Sequence, residues 1–226
     1  MTSATARRLA GGLFTLSLLT ACAGGPRIID RPVPFGERRQ AMTRDYIAQH
    51  YGLQVDDITI VPRIVVLHWT ASDRFDVSYN TFVPDTAAGR PDLLRSSPVN
   101  VGIQFLVDRD GTIYRLMPET WMARHAIGLN YESIGVENVG GARGVDNMTD
   151  AQIEANAELV RYLKRRYPTL EYLVGHHEYT RFVGHPLWRE LDPDYRTVKT
   201  DPGDRFMDAV RARVAKLGLK GAPNPE

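Results

Sequence analysis

Ile64-Val65-Val66-Leu67-His68-Trp69-Thr70 is the stretch around which the chain is organised. Four apolar residues, most of them β-branched, run straight into a histidine, the pattern of a buried strand with one polar group at its carboxyl end. Strand ends are rigid and open onto the surface, so a histidine there is well held for a metal or a substrate. In mid-run it would need a partner inside the core. Alone, such a histidine is more often a satisfied structural group than a ligand. Residues far down the chain reverse that balance.

Downstream, Val101 to Val107 and Thr112 to Leu116 are strand-like runs around Asp108-Arg109-Asp110-Gly111, a hairpin signal because glycine accepts positive φ. Ser133 to Val139 is another strand. It holds Glu137 within an apolar run, where a carboxylate is either salt-bridged or functional. Thr149 and Gln152 make a capping box for a long helix, and Ile153, Ala157, Val160, Leu163 and Tyr167 recur at helical spacing before Pro168 stops it. Glu171 to Val174 is a short strand running into Gly175-His176-His177, a second histidine at a strand end. Phe206, Val210, Val214 and Leu217 share one face of a last helix. Upstream, residues 23 to about 40 read as an aperiodic tether and Met42 to Tyr51 as a short helix ending at Gly52. Phe75 to Phe82 is ambiguous, and Pro84 to Pro98 reads as a polar surface loop. Strands alternating with helices around one hairpin predict an α/β fold, a single mixed central β-sheet flanked by helices.

The 226 residues suit one domain with tails. Lys plus Arg number 28 against 27 for Asp plus Glu, and discounting Arg7 and Arg8 leaves 26 against 27, so no overall charge marks a nucleic-acid partner. Arg7 and Arg8 precede the apolar run Leu9 to Leu19, which is shorter than the about twenty residues of a membrane span and reads as a signal peptide over residues 1–21. The single cysteine, Cys22, excludes an internal disulfide. Leu19-Thr20-Ala21-Cys22 resembles the lipobox of bacterial lipoproteins, which implies cleavage before Cys22, lipid attachment there and anchorage to a membrane. Ala23, where an Asp would signal inner-membrane retention, implies a periplasmic location on the outer membrane. The expected division is a signal peptide over 1–21, a lipidated tether over 22–40, a catalytic domain over 41–220 and a tail over 221–226.

His68, His176 and Asp201 form a candidate zinc set, since catalytic zinc usually keeps three ligands from His, Asp or Glu and one open position. Their distance in sequence means that only convergence in space would make them a site. His68-Trp-Thr-Ala, the Arg109-Asp-Gly turn, Arg124-His125-Ala126, Ser133-Ile-Gly-Val-Glu137, Gly175-His176 and Lys199-Thr-Asp201-Pro-Gly occur in the order seen in zinc-dependent N-acetylmuramoyl-L-alanine amidases of the type 2 family. The resemblance covers roughly residues 60 to 215 and implies the fold shared with peptidoglycan recognition proteins and phage lysozyme-like amidases.

The resemblance implies hydrolysis of peptidoglycan or muropeptides, with Zn2+ on His68, His176 and Asp201; a monomer is expected, though nothing in the sequence fixes the oligomeric state. Glu137 is then the base acting on water, Lys199 the cation facing the oxyanion, and Arg124, His125 and Asn130 substrate contacts. Each residue also has a plain reading: Asp201 as a helix cap, Glu137 as an ion-pair partner of an arginine, Lys199 as a solvated charge. A peptidoglycan-binding module without turnover is the alternative for the whole chain, and a zinc peptidase acting on another amide is a third. Ile103-Gln104 stands where some relatives carry a catalytic tyrosine, which throws weight on Glu137. Asp192 and Asp194 rival Asp201 as third ligand. His177 is a weaker ligand candidate, and His50 and His185 read as surface histidines. Phe182, Trp188 and Tyr195 either wall a groove or pin down their loop.

Overall fold

In the computed structural model, which describes Met1 and residues 25–224, one six-stranded mixed sheet organises the chain, and Cys22 and the expected signal peptide lie outside the described residues. The strands are β1 (Ile28–Asp30), β2 (Ile64–Trp69), β3 (Phe105–Val107), β4 (Ile113–Arg115), β5 (Ser133–Asn138) and β6 (Tyr172–Gly175), in the order β1-β4-β3-β5-β2-β6. Only β3 and β4 are antiparallel; every other neighbouring pair is parallel. Gly111, at φ 86°, makes their tight turn, and its amide donates to Asp108 O at 2.9 Å.

The helices are α1 (Glu37–Tyr51), α2 (Phe75–Phe82), α3 (Pro91–Leu94), α4 (Asp150–Arg166) and α5 (Asp204–Val214). The capping box at α4 forms as its sequence implies: Gln152 N donates to Thr149 Oγ1 and Thr149 N to Gln152 Oε1, both at 3.1 Å. Ile153, Val160 and Leu163 on α4 are buried with Phe206 and Val210 of α5 against the face of the sheet carrying Val65, Leu67, Ile134 and Val136. Each such side chain contributes about 1.5–3 kcal/mol. The opposite face, with Ile64, Val66, Tyr172 and Val174, is covered by Ala126, Leu129, Tyr179, Phe182 and Leu187.

Two expectations fail upstream. The segment expected to be a free tether supplies β1, paired with β4 at the sheet edge, and α1 begins at Glu37, five residues before Met42. Three residues are too few to show alternation. The first turn of α1 hides its inward face because the group it buries is Arg39, fully enclosed and donating to the carbonyls of Phe82 and Val101 at 2.8 Å each. The strand expected over Val101 to Val107 is a ladder only from Phe105, since Gly102 N bonds instead to Arg124 O and Gln104 O to Leu116 N.

Candidate metal centre

Strand alternation brings the chemistry to one face. His68 has the parity of Ile64 and Val66, and it pairs in register with Glu137, which has the parity of Ser133 and Gly135. His176 follows Gly175 directly, on the parity of Tyr172 and Val174, and Gly175 is level with Leu67. Three residues from three separate stretches thus emerge side by side at the carboxyl ends of adjacent parallel strands. Asp201, in the approach to α5, completes the group.

The donor atoms meet closely. His68 Nδ1 lies 3.0 Å from His176 Nδ1 and 3.3 Å from Asp201 Oδ2, and His176 Nδ1 lies 3.0 Å from the same oxygen. Ligands at 2.0–2.1 Å around a tetrahedral ion stand about 3.3–3.4 Å apart, so the spacing suits a small cation. Among the described residues these three are the one group of His, Cys, Asp or Glu placed to hold a metal ion.

The hydrogen-bond chain around His68 assigns its protons. Ser133 Oγ donates to Leu129 O at 2.7 Å, so at its 3.2 Å contact with His125 Nε2 it accepts. His125 then carries its proton on Nε2 and presents a bare Nδ1, which takes the Nε2–H of His68 at 3.0 Å. His68 is left with its Nδ1 lone pair facing His176 and Asp201. Burial, and then His68 and His176, push the His125 imidazole well below its usual range, in keeping with the neutral ring this chain requires. His176 is pushed down to about 4, chiefly by burial and then by His68. Burial would raise Asp201, but the two imidazoles outweigh it and hold the carboxyl well below the usual range. His68 Nδ1 and the Asp201 carboxylate bring electron pairs to one point beside His176 Nδ1, where a cation would meet all three.

Glu137 stands beside this group. Its Oε2 is buried, and among the described residues it has no hydrogen-bond partner and no arginine meets it. Burial raises its pKa to about 7, against the pull of His68 and Lys199. Half-buried Lys199 lines the same cleft, and among the described residues no carboxylate lies within ion-pair distance of it. The cleft encloses about 360 Å³ and extends from the donor group past Thr70 and Phe82 on one side and Ile127 and Tyr195 on the other.

Arg124 and Asn130, the other expected substrate contacts, both line the cleft, and their polar groups are also engaged within the protein. Arg124 is buried, and its guanidinium is spent on Leu93 O, Ser97 O, Val99 O, Ser96 Oγ and Tyr195 OH at 2.6–3.1 Å, clamping a loop. Asn130 is buried too: its Oδ1 accepts from the amides of His125 and Ala126, and its Nδ2 donates to the hydroxyls of Tyr46 and Tyr51. Asn130→Ala is therefore expected to cost about 2–4 kcal/mol in urea denaturation, because four buried partners are orphaned. A substrate-contact role would instead raise KM and leave the denaturation midpoint alone.

His50 is also not a surface residue. It is buried, with Nδ1 3.0 Å from the Glu190 carboxylate and Nε2 3.1 Å from Ser96 O, pinning the loop after residue 183 to α1. Phe182 is enclosed and Trp188 Nε1 donates to Glu190 O, so these two hold the loop while Tyr195 lines the cleft. Asp192 and Asp194 are exposed and apart from the histidines. His177 turns its Nδ1 to Asp201 O at 3.0 Å and positions that residue's backbone. Gln104 is buried, donating to Trp121 O and accepting from Gly135 N, and does not line the cleft.

Sequence reading missed Gly135 and Ser133 as parts of the site. A Cβ on Gly135 would come within 2.9 Å of the His125 ring, so only glycine lets that ring close on the sheet. The signal was present: Ser133, Gly135 and Glu137 make one face of β5 small and polar. His125→Ala is expected to weaken metal binding about 10–100-fold, as loss of a ligand's hydrogen-bond partner does, measurable by competition with a chelating dye.

The pattern of the N-acetylmuramoyl-L-alanine amidase family matches residues 44–204. This chain belongs to that family. The endolysin of Klebsiella phage KP32 is 37% identical over an 84-residue match that covers 35% of this chain and 55% of the endolysin, about half of that relative. Two solved structures from Clostridium intestinale URNW share the fold: the amidase LysC (TM-score 0.52, 22% identity, 86% of this chain and 99% of that one) and the endolysin amidase LysCS (TM-score 0.53, 21% identity, 87% and 99%).

Proposed function

We propose that the chain is a zinc-dependent N-acetylmuramoyl-L-alanine amidase, cutting the amide between the lactyl group of N-acetylmuramic acid and L-alanine of the stem peptide in peptidoglycan or its fragments. The observation that carries this reading is the convergence of three donor atoms, all within 4.8 Å of one another, beside a carboxylate with a buried oxygen that has no partner among the described residues. His68, His176 and Asp201 would hold the zinc ion, which when bound polarises an amide carbonyl and acidifies water. Glu137, with a pKa near neutrality, takes a proton from the attacking water and returns it to the leaving nitrogen. Lys199 brings an unpaired ammonium to the charge that develops on the carbonyl oxygen.

Incubation of the purified, zinc-loaded protein with muropeptides, followed by mass spectrometry, tests the reading. Free stem peptide is expected; binding without release would make the chain a recognition module, and cleavage of other amides alone a peptidase. Lys199→Ala is expected to lower kcat about 10²–10³-fold with little change in KM, the scale for loss of one oxyanion partner.

We also infer that Cys22 carries lipid and holds a monomeric enzyme on the periplasmic face of the outer membrane. Among the described residues no helix is long and apolar enough to cross a membrane. The mass of the N-terminal peptide of the mature protein tests the anchor.

A further inference from the structure

We propose that the basic face formed by the far ends of α4 and α5 docks on anionic phospholipid headgroups and holds the cleft turned away from the bilayer; the proposal rests on the lipid anchor at Cys22. Both helices run away from the metal centre. α4 begins where Gln152 Nε2 donates to Val107 O and Val139 O, at the carboxyl ends of β3 and β5. It ends where Lys164 Nζ donates to Leu170 O, just before β6 enters the sheet level with Ile64, the end of β2 opposite His68. α5 starts three residues after Asp201 and runs eleven residues, about 16 Å, in the same direction. The two ends meet where Arg161 Nη2 donates to Arg213 O at 2.9 Å.

This end collects Arg161, Lys164, Arg165, Arg166, Arg213 and Lys216. Favourable interaction with the helix dipole accounts for several of them, Glu154 pairs with Arg161 and Arg213, Glu119 pairs with Arg166, and Lys164 donates to Pro168 O and Leu170 O. It does not account for the place where the chain enters. A Cβ on Gly25 would stand 3.5 Å from Tyr162 and 3.8 Å from the Arg165 guanidinium, so Gly25, three residues after Cys22, lies on this face, with Arg27 two residues on. Three residues span at most about 11 Å. An acylated Cys22 therefore brings the bilayer surface against Arg165 and not to the end of a long tether. Exposed Arg27, Arg165 and Lys216 have no carboxylate within ion-pair distance among the described residues, which leaves them free for phosphate. A lipid anchor joined to a basic patch is the two-signal arrangement that holds a protein stably and in one orientation.

The test uses the full-length lipidated protein in vesicles containing nitroxide-headgroup lipid. With the Cys22 sulfur acylated, Ala212→Cys beside the basic face or Val198→Cys on the cleft side, both exposed positions, carries the single fluorophore. In phosphatidylethanolamine vesicles containing phosphatidylglycerol the probe at 212 is expected to be quenched several-fold more than the probe at 198. In phosphatidylcholine vesicles the difference should shrink. Each cation near an anionic surface favours the docked orientation about fivefold, so the combined Arg27→Glu, Arg165→Glu and Lys216→Glu variant should abolish the difference while its muropeptide turnover stays unchanged. Equal quenching at the two positions in phosphatidylglycerol vesicles, with Cys22 acylated, overturns the docking face alone. An unacylated Cys22 and failure to float with vesicles overturn the anchor and this proposal with it.

Discussion

Glu137→Gln is expected to slow turnover about 10²–10⁴-fold, the range of a lost general base, while metal content stays at the wild-type level. Glutamine keeps the size of the side chain and removes only its capacity to take a proton. The residue stands outside the donor group, its Oε2 has no partner among the described residues, and burial holds its pKa near 7. A structural ion pair would look different, with an arginine in contact and a depressed pKa. Retained activity in this variant at full metal occupancy would refute the assignment of the base.

The same shift has a consequence for stability. The folded pKa lies above the reference value of 4.5, so in metal-free protein the folded state binds more protons than the unfolded state between those two values. Stability from this group is fully present below 4.5 and is lost as pH rises through about 7. Metal-free Glu137→Gln should accordingly be more stable than wild type at pH 8, by about 1–3 kcal/mol, and should lose that advantage at pH 4. Thermal unfolding after chelator treatment at the two pH values measures it. The native residue is thus held in a setting that suits proton transfer and disfavours its charged form.

His68→Ala is expected to lose both metal and turnover, in contrast to Glu137→Gln. His68 joins every part of the centre: Nδ1 faces His176 and Asp201, Nε2 donates to His125, and its carbonyl accepts from Asn138 Nδ2 at 3.0 Å. Its removal leaves one imidazole and one carboxylate, fewer than the three protein ligands a catalytic zinc keeps. Wild-type protein should gain about 2.7 kcal/mol of stability when zinc is supplied at a hundred times its dissociation constant, and His68→Ala should gain almost none. Calorimetric melting with and without zinc separates the outcomes; an equal rise in both proteins would move the metal away from this group.

Much of the scaffold was legible because its segments carry strong local periodicity. The run Ile64 to Trp69, the β5 segment around Glu137, the capped α4 and the apolar stripe of α5 each state their type within their own residues. β1 was illegible because an edge strand of three residues takes its conformation from Ile113–Arg115, not from a pattern of its own. The first turn of α1 was hidden because what it buries is a guanidinium satisfied by distant carbonyls. The structural bonds of Arg124 and Asn130 were hidden for a related reason. Sequence shows that they flank His125, but only the folded chain shows that their donors and acceptors are already engaged.

What the sequence determined by itself is therefore local: which segments are strands and helices, that His68 and His176 each stand at the end of one, and that Glu137 interrupts an apolar run. Tertiary structure decided how those segments align. The register that sets His68 opposite Glu137 and Leu67 opposite Gly175 is chosen by side-chain packing across a parallel sheet, whose strands are joined through long crossovers and not through turns that could dictate their offset. It also decided that Asp201, and not Asp192 or Asp194, returns to the histidines, because the loop between them is pinned by contacts with α1 and with Arg124 that lie far away along the chain.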